Sequence, residues 1–259
     1  LPSFAASAWY HHRLPNQPKE LRPLLLEVER FAMTTYAQAL SKGYSLDDKT
    51  RDAIAQKLHE YTGLPVSYIL KSDLRVAYGP FQKELLSDQG LSTGSLDTRF
   101  AGPTLDPLSK TVGYDPQGAA IGSAYIAAFN TYVRAVLKYG DGKDYKIEAG
   151  NYGSWDFTHQ PPGVDAPIKT LPNVMPDMAV AMKTNPNLKV MLNGGYFDVV
   201  TPYYEGWYEM HHLQIPKSLR GNIEYHYYES GHMVYAHEPS LAQLHDNVAA
   251  FIRKTDNVN

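Results

Sequence analysis

From residue 173 to the carboxyl end the apolar pattern keeps changing period, and this alternation constrains the fold more than any other feature of the chain. The spacing predicts a helix over Asn173–Lys183, a compact apolar strand over Leu188–Leu192, a helix over Tyr203–Leu213, a strand over Ile223–Tyr228 and a closing helix over Ser240–Ile252. A helix between two strands implies a right-handed crossover and parallel pairing, so the class is α/β. Only Tyr145–Glu148 offers a third, short strand. Two or three strands would leave open edges and an uncovered apolar face, so either the rest of the sheet comes from another polypeptide or the helical reading of residues 1–140 conceals strands, against which their length and period argue.

The first 140 residues read as helices. Leu21, Leu24, Leu25, Val28, Phe31, Ala32, Tyr36, Ala39 and Leu40 recur at three- and four-residue steps and place one amphipathic helix within 18–42, ending at Gly43. Ser45 and Asp48 form an approximate capping pattern for a second helix through Ile54, Leu58 and Tyr61, stopped by Gly63. Pro65 fits the first turn of a short third helix through Leu70, and further helices are expected over Pro80–Ser87 and Gly118–Lys138. Residues 90–117, rich in Gly, Ser, Asp and Pro, read as a long loop. The organisation expected is a helical region over residues 1–140 and an α/β region over residues 141–259.

Composition removes several function classes. Lys and Arg number 24 against 27 Asp and Glu, a formal charge of −3, so no excess of cations is present to hold a nucleic-acid backbone. No run approaches the roughly 18 consecutive apolar residues of a membrane span. The absence of cysteine excludes disulfides, thiolate metal sites and cysteine nucleophiles together. The first 20 residues lack the charged and apolar regions of a signal peptide and there is no initiator Met, so the chain is expected to start inside a longer gene product. The 20 tyrosines suit half-buried surfaces and clefts, having an apolar ring and a polar tip.

In an open parallel sheet, functional side chains gather beyond the carboxyl ends of the strands. Two segments fall there. Met191-Leu192-Asn193-Gly194-Gly195-Tyr196-Phe197-Asp198 places an acid past the first strand, after a glycine pair that permits unusual backbone angles. Tyr225-His226-Tyr227-Tyr228-Glu229-Ser230-Gly231-His232 places a histidine past the second. Neighbouring strands would bring Asp198 and His232 to one edge, where the carboxylate could accept the imidazole Nδ1–H and leave Nε2 as a general base. Acid before histidine is also the order of the last two members of an α/β-hydrolase triad.

Asn193–Tyr203 and Glu229–Glu238, with Gly231-His232-Met233-Val234, resemble the acid and histidine motifs of the serine carboxypeptidase family of α/β-hydrolases, in its bacterial peptidase-like branch. Trp9-Tyr10 and Tyr114-Asp115-Pro116 extend the resemblance over most of the chain. It implies the carboxyl-terminal part of an α/β-hydrolase sheet with a mostly helical cap, Asp198 as the triad acid and His232 as the triad base. It further implies peptide hydrolysis without a cofactor or metal, and a secreted or periplasmic setting. Tyr235 stands where the family commonly has proline after Gly-His-Met-Val. The family's nucleophile motif, Gly-x-Ser-x-Gly, is expected to lie outside this chain, because Gly122-Ser123-Ala124 lacks the second glycine and falls in a predicted helix. The serine, and the amino-terminal half of the hydrolase with it, are therefore expected on an upstream or companion polypeptide.

Trp155, Tyr196, Tyr203, Tyr204 and Met233 are candidates for contact with a peptide substrate, although buried packing explains aromatic residues equally well. His11-His12 and His211-His212 are adjacent pairs that diverge by about 100° on a helix, so neither chelates one metal from one face. Two other chemistries fit the same scaffold or residues: acyl transfer or lyase activity, and a non-catalytic binding module carrying an Asp–His pair.

Overall fold

In the computed structural model, which describes residues 1–147, 152–169 and 171–256, contacts divide the chain into two compact units. The first comprises Leu1–Gly118, Leu192–Trp207 and Tyr225–Asn259, and the second Ala119–Met191 and Tyr208–Glu224. Among the described residues helices dominate, with two two-stranded sheets, a mixed α/β composition.

Helix α1 (Pro2–Tyr10) opens the chain, with Ala5, Ala6, Ser7 and Ala8 all fully buried. The expected amphipathic helix is α2 (Leu21–Phe31), which continues through a π-helical turn, Ala32–Tyr36, into α3 (Ala37–Ser41). Its apolar stripe buries Leu21, Leu25 and Val28. Helix α4 (Asp48–Thr62) is capped by Asp47 rather than by Ser45, two residues earlier, and the Asp47 side chain accepts the Thr50 N–H at 2.9 Å. It ends at Gly63, in the left-handed conformation with φ +68°, where a Cβ would lie 2.4 Å from the Arg13 carbonyl oxygen. Helices α5 (Val66–Lys71) and α6 (Tyr78–Glu84) complete this helical layer. Its core holds Leu58, Leu64, Ile69, Phe81 and Leu85, and the Phe4 and Phe81 rings stack at 4.0 Å.

Residues 90–117, expected as one loop, contain an antiparallel hairpin. Strand β1 (Leu91–Thr93) pairs with β2 (Ala101–Pro103) in the register Leu91↔Pro103, Ser92↔Gly102, Thr93↔Ala101. Three-residue strands are too short for a period-two pattern to show in sequence. Helix α7 (Pro116–Thr131) follows, with a π-helical turn at Tyr132–Val136, and then α8 (Met175–Thr184). Residues 145–147 form no strand, and Glu148 lies outside the described residues.

Strand β3 (Val190–Gly195), helix α9 (Tyr203–His211), strand β4 (Ile223–Tyr228) and helix α10 (Glu238–Thr255) realise the expected alternation. β3 and β4 are hydrogen-bonded neighbours. Just beyond them Tyr196 N–H donates to the Tyr228 carbonyl and Phe197 N–H to the Ser230 carbonyl, both at 3.0 Å. Positions rise together on the two chains, which is the sense of a parallel pair.

Candidate functional site

Both candidate residues sit on the short segments that leave β3 and β4. The His232 Nδ1–H donates to Asp198 Oδ2 at 2.8 Å. Asp198 is only 2% exposed, and each of its remaining acceptor positions is occupied: Oδ1 accepts the N–H groups of Val200 and Thr201, both at 2.9 Å, and Oδ2 also accepts the Thr201 hydroxyl at 2.6 Å. Thr201 Oγ1 lies 3.0 Å from His232 Nδ1. A buried carboxylate needs such donors to offset its lost hydration. Fixing the proton on Nδ1 directs the Nε2 lone pair away from Asp198, and the imidazole is 49% exposed. Thr201 was open to prediction, because Asp followed three residues later by Thr is an Asx-turn pattern.

The glycines around the pair are explained by close approach. Neither Gly194 nor Gly195 has a positive φ, which corrects the expectation of unusual backbone angles. A Cβ on Gly195 would lie 2.2 Å from the Gly231 carbonyl oxygen, and one on Gly231 would lie 2.4 Å from both Asp97 Cβ and the Leu96 carbonyl oxygen. The acid loop, the histidine loop and the hairpin tip at residues 94–100 thus meet backbone to backbone.

That tip holds both loops at once. On the acid side, Val199 N–H donates to the Ser95 carbonyl at 3.2 Å, and Thr98 donates to the Phe197 carbonyl through its N–H at 3.0 Å and its hydroxyl at 3.1 Å. On the histidine side, His232 N–H donates to the Leu96 carbonyl at 2.7 Å and Gly231 N–H to Asp97 Oδ2 at 3.2 Å. Asp97 is fully buried and paired bidentately with Arg99, Nε to Oδ1 at 2.9 Å and Nη2 to Oδ2 at 2.6 Å. Arg99 reaches on to the Glu229 carbonyl at 2.8 Å and to Ser230 Oγ at 3.2 Å. Asp115 anchors the tip from below, accepting the Ser95 N–H and hydroxyl at 2.8 and 2.6 Å. Helix α1 adds Ser7, whose Oγ is 2.5 Å from Thr98 Oγ1, and the chain just past it adds His11, whose Nε2–H donates to the Thr98 carbonyl at 2.6 Å. Burial lowers the His11 pKa, against the opposing pull of that hydrogen bond.

The aromatic candidates separate. Tyr203 is 3% exposed; its ring packs edge-on against Tyr196 and Tyr227, and its hydroxyl donates to Glu29 Oε1 at 2.7 Å, so it is a core residue. Burial first, and the Glu29 carboxylate second, push its phenol far up. Arg22 meets the same Glu29 oxygen at 2.6 Å. Tyr196, Tyr204 and Met233 are half-buried in the unit that holds Asp198 and His232, with Tyr204 stacked on Trp207 at 4.9 Å. Trp155 belongs to the second unit and is 69% exposed.

The spacing Gly-x-Ser-x-Gly does occur in this chain, at Gly90-Leu91-Ser92-Thr93-Gly94, against the expectation that the chain lacks it. Ser92 lies inside β1 rather than at a strand-to-helix turn, is fully buried, and has its Oγ 2.7 Å from Thr104 Oγ1. It has neither the exposure nor the backbone of a nucleophile elbow. No family model, curated protein or solved structure matches the chain.

Proposed function

We propose that this chain supplies the acid and the base of a Ser-Asp-His triad, as the carboxyl-terminal part of a serine-carboxypeptidase-like α/β-hydrolase with a mostly helical cap. The supporting observation is the hydrogen bond of 2.8 Å from His232 Nδ1 to a buried Asp198 whose other acceptor positions are filled. In this reading residues 1–140 belong to the cap and 141–259 to the hydrolase core, with α1 and the hairpin tip reaching the core loops. The nucleophilic serine and the remaining strands come from a companion polypeptide.

The chemistry is acyl transfer from a peptide to water. The companion's serine hydroxyl attacks the scissile carbonyl while His232 Nε2 takes its proton. The imidazolium, stabilised through Nδ1–H by Asp198, then returns that proton to the leaving amine, and the steps repeat with water to release the acid. Tyr196, Tyr204 and Met233, in the same unit as Asp198 and His232, are the side chains proposed to meet substrate.

A serine-directed phosphonate tests this on the protein purified with whatever polypeptide accompanies it. Label is expected on the companion and on no serine within residues 1–259, Ser92 included. His232→Ala is expected to lower turnover by on the order of 10³-fold or more. A labelled serine within this chain overturns the division of the triad. A companion whose labelling and turnover are indifferent to His232 would leave the Asp–His pair to a non-catalytic binding module.

A further inference from the structure

We infer that Asp97 and Arg99 are positioning residues for His232, an ion pair with a fully buried carboxylate and a partly buried guanidinium that sets the imidazole against Asp198; this rests on the triad reading above. The two side chains grip the histidine loop across 130 to 134 residues of sequence. Asp97 binds the Gly231 N–H, Arg99 binds the Glu229 carbonyl and Ser230 Oγ, and the Leu96 carbonyl binds the N–H of His232 itself. Three consecutive residues before the histidine, and the histidine's own amide, are therefore held by one hairpin tip.

The same tip holds Phe197 and Val199 on either side of Asp198. The relative placement of acid and base is thus defined through a third piece of chain rather than by the β3–β4 pairing alone. The fork geometry matters, because a guanidinium can satisfy Asp97 with two nitrogens while two of its nitrogens reach the histidine loop. A lysine ammonium carries the same charge without that planar fork.

Proton NMR of the imidazole N–H groups tests the inference on the chain as it stands. In the unsubstituted protein the His232 Nδ1–H is expected as a slowly exchanging downfield resonance, absent in His232→Gln and lost in Asp198→Asn. The Nε2–H of His159, which donates to Asp177 at 3.0 Å in the second unit, serves as internal reference. Arg99→Lys and the isosteric Asp97→Asn are each expected to abolish or shift the His232 resonance and leave the His159 resonance in place. An unchanged His232 resonance in both variants overturns the inference, and so does loss of both resonances together, which would make the pair an element of global stability only. If Asp198→Asn leaves the His232 resonance untouched, the triad reading fails, whatever the Arg99 result.

Discussion

Replacing Gly231 with alanine places a methyl group where three backbone segments meet. Its Cβ would stand 2.4 Å from Asp97 Cβ, 2.4 Å from the Leu96 carbonyl oxygen and 2.6 Å from Asp97 Cγ. None of these atoms is the free end of a flexible chain: Leu96 is held through its carbonyl by His232, and Asp97 by Arg99. Relief requires separating the hairpin tip from the histidine loop by about 1 Å, which stretches the Gly231–Asp97 and His232–Leu96 hydrogen bonds. Overpacking of a buried site costs about 1–3 kcal/mol, and weakening two buried hydrogen bonds adds about 1 kcal/mol, so a loss of about 3 kcal/mol is expected. That is roughly a 100-fold change in the unfolding equilibrium. Urea unfolding reads it as a lower midpoint at unchanged slope. Gly122→Ala is the matched control. Gly122 lies inside α7 with nothing within 4 Å of a built Cβ, so alanine is expected to stabilise by about 0.5–1 kcal/mol through helix propensity. Equal midpoints for the two variants would refute the close-approach explanation of Gly231.

Three further outcomes follow from the same geometry. Asp198→Asn keeps an oxygen for the Val200 and Thr201 N–H groups but turns an NH₂ toward two donors, so a stability loss of about 2 kcal/mol and a switch of His232 to the Nε2–H tautomer are expected, the latter read from imidazole ¹⁵N shifts. Thr201→Val removes the hydroxyl bond to Asp198 and is expected to cost about 1 kcal/mol in urea unfolding, while Thr201→Ser stays near the unsubstituted protein; equal losses would deny the hydroxyl its role. Burial lowers the His11 pKa from its ordinary value of 6.5, so the imidazole is neutral in both folded and unfolded chains above pH 6.5. As pH falls below 6.5 the unfolded chain takes up a proton that the folded chain refuses, and stability is lost as pH falls through the lowered folded value; His11→Gln is expected to flatten this part of the pH profile of unfolding.

What could be read from sequence was what depends on local pattern. Ile223–Tyr228 is a strand with the expected ends, and α4, α8, α10 and the continuous run from α2 through the π-helical turn to α3 lie within a few residues of their predicted spans, because each has a periodic apolar face or a clear terminus. The meeting of Asp198 and His232 was legible because strand ends in a parallel sheet define where side chains gather. Helix α1 left no trace for the opposite reason: Ala5, Ala6, Ser7 and Ala8 are buried in succession, so no polar face marks a period. Tyr203 shows a further limit, since a tyrosine in a cleft and one in a core look alike until the position of Glu29, 174 residues away in sequence, is known.

The hairpin tip escaped sequence reading for a deeper reason, and its chemistry explains why a polar pair occupies so buried a place. A buried ion pair is a poor source of stability, because desolvation of the two charges offsets their attraction, and apolar residues of similar volume often serve as well. An apolar pair at positions 97 and 99 would, however, leave the Gly231 N–H and the Glu229 carbonyl without their present partners. The loop that carries them approaches Leu96 and Asp97 too closely for Gly231 to bear a side chain of its own. Close approach of three loops thus creates a demand for donors and acceptors that the Asp97–Arg99 pair meets. The glycines and the Asp97–Arg99 pair are two halves of one solution. The glycines let the loops converge, and the pair fixes the direction from which the histidine loop leaves β4 toward Asp198.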